Sequence, residues 1–183
     1  VEGKLKAGDK VLLLGTGGVS IYALQIAKAM GAYVAITSSS DEKLAKAKAL
    51  GADFTVNYKA EPEWGSAVNA WSGEKGVDHV VEVGGPATLA QSINACRVNG
   101  NIVLIGVLTG VKGDVPTAAL MAKQINLKGI IVGSREHQND FVNALEASGI
   151  KPVIETSFSL DELAKAFEYE VNGKHFGKIC IDI

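Results

Sequence analysis

Residues 11–25, VLLLGTGGVSIYALQ, limit the fold of this chain more than any other stretch. A run of apolar residues long enough for one buried strand passes through Gly15-Thr16-Gly17-Gly18 into a segment with helical spacing of its apolar positions. A helix entered through such a turn has unpaired N–H groups at its start, with the positive end of the helix dipole behind them. That is a binding site for an anion. Gly15 permits the tight turn, and Gly17 lets backbone approach a phosphate with no Cβ between them. The N–H groups around Gly18 and Val19 face the anion. Ser20 stands where the generic pattern has its third glycine, and its small side chain lets helix and strand pack closely. The group this order of elements serves is the diphosphate of a dinucleotide.

Beyond this turn, strands and helices alternate at regular spacing, the pattern of a parallel sheet covered on both faces. Strands are expected at residues 10–14, 33–37, 54–57, 78–83, 101–105 and 126–132. Helices are expected at 18–30, 41–50, 62–71 and 139–147. The apolar run 91–98 is assigned to the helix after the fourth strand, and residues 106–121 to a looser segment. Two mononucleotide-binding halves of this kind predict an α/β, doubly wound (Rossmann) six-stranded parallel sheet in the order 3-2-1-4-5-6. Residues 1–150 form this domain. Residues 151–183 behave differently: an extended segment over 152–158, a capping box from Ser159 to Glu162, and a helix with Leu160, Leu163, Ala164, Phe167 and Val171 at helical spacing. A last strand over 177–183 closes the chain.

Composition excludes several functions. A net charge of −2 over 183 residues gives no surface for nucleic acid, and no apolar run approaches the ~20 residues of a membrane span. No secretory signal is evident, and the start at Val1 fits a processed product or an excised piece. Cys96 and Cys180, far apart, read as reduced thiols of a cytoplasmic protein. His79, His137 and His175 share no metal-ligand spacing with them, and no nucleophile elbow occurs, so the chain offers no catalytic residue and no metal site of its own.

The turn GTGGVS, LAKAKALGAD, NYK, VDHVVEVGGP, GNIVLIGVLTG and the closing GKHFGKI resemble the cofactor-binding half of the medium-chain dehydrogenase/reductase superfamily. That superfamily contains zinc-type alcohol dehydrogenases, quinone oxidoreductases and enoyl reductases. The resemblance covers nearly the whole chain. It implies a parent oxidoreductase whose catalytic domain, with any zinc, precedes Val1 and to which residues 151–183 return. It also implies that the isolated chain binds cofactor without turnover.

NAD-specific sites carry an Asp or Glu at the end of the second strand for the ribose 2′-OH. The resemblance puts Ser38 at that position, within Thr37-Ser38-Ser39-Ser40. Hydroxyls from Ser38 and Ser39, with Lys43 one turn on, suit a 2′-phosphate, so NADP(H) is expected rather than NAD. Tyr58 matches a tyrosine lining that pocket in similar quinone oxidoreductases. The alternative for the serines is a capping box of Ser39 with Glu42. Along the rest of the track, Val83, Gly84 and Gly85 approach the ribose. By resemblance, Ile105, Gly106, Val107 and Leu108 border the nicotinamide, and Val132 and Gly133, followed by Ser134, reach its carboxamide. Lys178 lies near a phosphate-binding arginine of some relatives, with Arg135 as a second candidate cation. The apolar sixth strand, with Ile125, Leu127, Ile130, Ile131 and Val132, lies at a sheet edge and predicts a homodimer through that edge. A non-catalytic dinucleotide-sensing module and an S-adenosylmethionine methyltransferase share the glycine turn and stand as alternatives.

Overall fold

The computed structural model describes residues 4–183. Its main sheet is parallel throughout, with β3 (Phe54–Asn57), β2 (Tyr33–Ser38), β1 (Lys10–Leu13), β4 (Val77–Glu82), β5 (Cys96–Leu104) and β6 (Asn126–Gly129) adjacent in that order. This is the expected 3-2-1-4-5-6 arrangement. In β1, Leu12 pairs with Ala35 of β2 and with Val80 of β4, placing the glycine turn at the centre of the sheet. Successive strand residues point to opposite faces, so a strand covered on both sides must be apolar at every position. Val11, Leu13, Val34 and Ile36 pack with Ile21 and Leu24 of α1 (Gly18–Ala29) and Leu44 of α2 (Asp41–Ala49). Leu12, Leu14, Ala35 and Val80 pack with Val68 of α3 (Trp64–Trp71) and with Leu89 and Ile93 of α4 (Pro86–Ala95). The crossovers thus put two helices on one face and two on the other.

Several boundaries differ from the sequence expectation. The apolar run 91–98 is divided: α4 begins at Pro86, after Gly85 in a positive-φ conformation, and ends at Ala95, while Cys96, Arg97 and Val98 open β5. Lys123 Nζ donates to the carbonyls of Ile93, Asn94 and Cys96 and closes the helix end, so helix and strand abut with no linker. The looser segment contains a short helix, α5 (Thr117–Ala122). The sixth strand stops at Gly129. Ile131 and Val132 lie beyond it, 91% and 81% exposed, so only Leu127 of the apolar set expected for this edge lies within the strand. Helix α6 (Arg135–Ser148) starts four residues early because Ser134 Oγ accepts from His137 N–H while His137 Nδ1 accepts from Ser134 N–H. His137 thus fills the capping-box place usual for Glu.

The C-terminal segment forms β7 (Ile154–Ser159), a 3-10 turn over Leu160–Glu162, α7 (Leu163–Val171) and β8 (Lys178–Asp182), with β7 and β8 paired in parallel. The expected box at Ser159 is only partly made: the Ser159 hydroxyl donates to the Glu162 carboxylate and does not cap the turn. The stripe Leu160, Leu163, Ala164, Phe167 and Val171 faces outward, and Ala166 is the residue α7 buries. Phe176, by contrast, is buried in the α1/α2 core. Gly177 N–H donates to the Thr16 carbonyl at 3.0 Å, and Gly17 and Gly177 form a bridge, so this segment is joined to the glycine turn.

Candidate functional site

The turn after β1 takes the geometry its residues imply. Gly15 has φ +73°, a conformation side chains disfavour, and its N–H donates to Thr37 Oγ1 at 3.3 Å. Gly17 caps α1 with extended backbone and no side-chain cap, and Gly18 opens the helix, whose first turn holds no acid. Ser20, buried, donates through Oγ to the Leu14 carbonyl at 2.6 Å, fastening helix to strand. Val19 is half exposed at the helix start. The first turn of α1 therefore keeps its positive dipole end with no acidic side chain on the helix to offset it.

The end of β2 lies beside this turn. Ser38 is the last residue of the strand and is buried, its Oγ 3.4 Å from Thr16 Oγ1. The cap of α2 is Ser40, whose Oγ accepts from Lys43 N–H, which corrects the expected box of Ser39 with Glu42. With Ser40 as cap, Ser39 is not needed to start the helix. Tyr58 is joined to the same corner through its N–H, which donates to the Ser38 carbonyl at 3.0 Å. Lys43 Nζ donates to the Gly173 carbonyl. Burial pushes its ammonium below the ordinary lysine value, with Lys46 adding to the effect and Glu155 and Glu42 opposing it. A partly desolvated ammonium gains more from a nearby phosphate than a solvated one does.

Between the carboxyl ends of β1 and β4, where strand order reverses, lies a cleft of about 400 Å³ lined mainly by apolar surface. It brings together Gly15, Tyr58, Val83 and Gly84 of the expected site, and adds Pro62, Trp64 and Leu108. Ligands of doubly wound sheets bind at this crevice. Ser39 and Lys43, at the start of α2, are not among the residues lining it. Ile105 lines instead an apolar groove with Val81 and Val103, on the α1 side of the sheet. Val132 and Gly133 line a separate shallow groove with Ile130, Ile131 and His137. Arg135 lies exposed at the start of α6.

Glu82, which the sequence reading did not single out, holds the turn after β4 that borders the cleft. It is fully buried, and its Oε1 accepts from the N–H groups of Gly84 (2.8 Å) and Gly85 (3.0 Å) and from Thr88 Oγ1 (2.6 Å). The Ser92 hydroxyl donates to its other oxygen. A carboxylate with four donors fixes the turn after β4. The signal was a lone acid in the otherwise apolar run VVEVGG. Packing explains the neighbouring glycines: a Cβ on Gly84 would collide with Thr88, and one on Gly106 with the Val83 carbonyl. Val107 Cα would stand 3.1 Å from a Cβ on Gly85.

Lys178 lies at the opposite side of the glycine turn. Its Nζ is 2.8 Å from the point a Cβ on Gly18 would occupy. An ammonium at a helix N-terminus is unfavourable by itself and favourable once an anion lies between them. Among the described residues, no three His, Cys, Asp or Glu side chains are grouped to hold a metal. Cys96 and Cys180 are free, and burial pushes the Cys96 thiol up to about 12, which keeps it protonated. No helix among the described residues is long and apolar enough to cross a membrane.

Residues 18–157 match the family model of zinc-binding dehydrogenases. A zinc-type alcohol dehydrogenase-like protein of Schizosaccharomyces pombe is 44% identical over all of this chain, which spans 54% of that relative. The structure of an NAD-dependent alcohol dehydrogenase superposes over the whole chain with a TM-score of 0.92 at 33% identity, and the chain covers 53% of it. A 2-octenoyl-CoA carboxylase reductase, solved in complex with NADP and 2-octenoyl-CoA, gives a TM-score of 0.90 at 25% identity; the match covers 98% of this chain and 44% of that protein. The chain thus spans about half the length of the relatives it matches. The family model spans well over half of the chain, and the chain belongs to the zinc-binding dehydrogenase family.

Proposed function

We propose that this chain is the NADP(H)-holding part of an alcohol dehydrogenase- or quinone reductase-like oxidoreductase. When bound, the dinucleotide supplies a nicotinamide that exchanges hydride with a carbonyl, quinone or activated alkene. The chain's own residues hold and orient it. The N–H groups at Gly17, Gly18 and Val19 take the diphosphate, with the Lys178 ammonium opposite. Tyr58, Val83 and Gly84 line the crevice for the adenosine side, with Gly85 next in the turn. Ile105, Gly106, Val107, Val132 and Gly133 lie further along the strand ends, where the nicotinamide side extends. Zinc, where the parent uses it, is held outside this chain.

The observation that carries the NADP preference is Ser38. The residue ending β2 beside the glycine turn is a buried serine with no carboxylate to repel a 2′-phosphate. Ser39 and Lys43, the latter partly desolvated, are the groups that favour that phosphate. The solved relatives include one described as NAD-dependent and one holding NADP, so the choice rests on this chain's own residues. Fluorescence titration with NADPH and NADH tests it. NADPH binds at least tenfold tighter on this reading, and tighter binding of NADH refutes it.

The outward apolar stripe of α7 and the exposed end of the sheet suit a chain that meets a catalytic domain through residues 151–183. Edge strand β6 suits pairing of two copies into a homodimer. Light scattering at micromolar concentration yields a dimer mass if that edge pairs, and a monomer mass refutes it. The purified chain binds NADPH and shows no turnover of simple aldehydes or quinones, and robust turnover would refute the assignment of catalysis to another part.

A further inference from the structure

The α1 face of the main sheet changes character between β1 and β6. Val11, His79, Asn101 and Asn126 are in register across four adjacent strands, and two residues on Val81, Val103 and Lys128 form the next row. Register partners in a parallel sheet point to the same face. A parallel sheet covered on both sides is apolar at nearly every position, as β1 is. Here three neighbouring strands instead present an imidazole, two amides and, one row on, an ammonium. Among the described residues, the Asn101 and Asn126 side chains take part in no hydrogen bond.

This polar floor opens into a cavity of about 460 Å³, within the range of about 300–1,000 Å³ usual for small-molecule sites. Asn126 opens β6 and His79 stands near the start of β4, so the cavity lies at the opposite ends of the strands from the cleft after β1 and β4. Lys4, Lys6 and Arg97 complete its wall. Asp9 is the one carboxylate among the described residues that line it, and it already accepts from Lys6 N–H at 2.9 Å and from His79 Nε2 at 3.0 Å. Arg97 is held by Asp78 Oδ1 and the Val98 carbonyl, with donors of its planar fork to spare. Cations around a floor of amides are the complement of a multiply charged oxyanion.

We propose that this cavity binds a small anion of the phosphate class. Lys4, Lys6 and Arg97 take its charge, and Asn101 and Asn126 donate amide N–H groups to its oxygens. The proposal is independent of the dinucleotide reading. Its test is calorimetric titration of the full chain with inorganic tripolyphosphate at about 150 mM salt, where diffuse surface attraction is largely screened. Lys4→Gln with Lys6→Gln, a change at two exposed side chains, weakens binding about tenfold or more. Asn101→Leu weakens it severalfold without lowering the thermal midpoint, because leucine suits a sheet face better than an amide does. Lys178→Gln, at the glycine turn, leaves it within about twofold. Affinity unchanged by the first two variants, a loss produced by Lys178→Gln instead, or no binding to the unaltered chain at that salt each overturns the proposal.

Discussion

Replacing Ser38 by aspartate tests the cofactor reading at its most sensitive atom. The new carboxylate would lie at the end of β2, where Ser38 Oγ now lies 3.4 Å from Thr16 Oγ1 and 3.4 Å from the Ser40 N–H that donates to it. Those neighbours are hydrogen-bond donors, so the charge has partners and the fold tolerates it. Against a 2′-phosphate about 5 Å away, Coulomb repulsion at an effective dielectric constant of about 20 is about 3 kcal/mol per unit charge. The phosphate carries more than one charge, but Lys43 and solvent screen it, leaving a net cost of about 3 kcal/mol and a loss of about 100-fold in NADPH affinity. With NADH the same carboxylate accepts from the ribose hydroxyls, a charge-assisted bond contributing about 1.5 kcal/mol, or roughly tenfold. The ratio of the two dissociation constants therefore moves about 1000-fold towards NADH. Titration of both cofactors against native chain and S38D measures it, with circular dichroism confirming the fold. A ratio that moves less than tenfold in a folded variant refutes the placing of the 2′-phosphate at Ser38.

Three further outcomes follow from the same geometry. Glu82→Ala strands two backbone N–H groups and two hydroxyls in the interior, and urea unfolding should show a loss of about 3 kcal/mol or more. Gly106→Ala drives a Cβ into the Val83 carbonyl and should cost about 2 kcal/mol in thermal unfolding, with weaker NADPH binding because the β4 turn is displaced. Burial pushes the Asp9 carboxyl up, but the hydrogen bond from His79, with help from Lys6, outweighs that and holds it below the ordinary value of 3.8. A depressed carboxyl stabilises the fold above its unfolded value, and that contribution is lost as pH falls through the lower folded value. Acid unfolding of Asp9→Asn should therefore be less steep than that of the native chain below about pH 4.

The sheet was legible in the sequence because burial on both faces writes itself into local pattern. VLLL, YVAIT and VVEV can only be central parallel strands, and right-handed crossovers then leave the order 3-2-1-4-5-6. The glycine turn was legible for the same reason: Gly15, Gly17 and Ser20 meet steric demands within a few residues of one another. Element ends were less so. Residues 91–98 are apolar throughout, and only the Lys123 ammonium, from α5's C-terminal end, decides that the helix stops at Ala95. Likewise Ser40 rather than Ser39 caps α2, a choice between adjacent serines made by backbone dihedrals.

By itself, then, the sequence determined the class of fold, the place of the glycine turn and the absence of an acid at Ser38. These are properties of short segments, where sterics and periodicity act. Tertiary structure alone decided that Gly177 pairs with Thr16 across 161 residues, that Glu82 holds the turn after β4, and that the Lys178 side chain packs over Gly18. Such pairings depend on which distant backbones meet once both hydrophobic cores close, and no local pattern encodes the meeting.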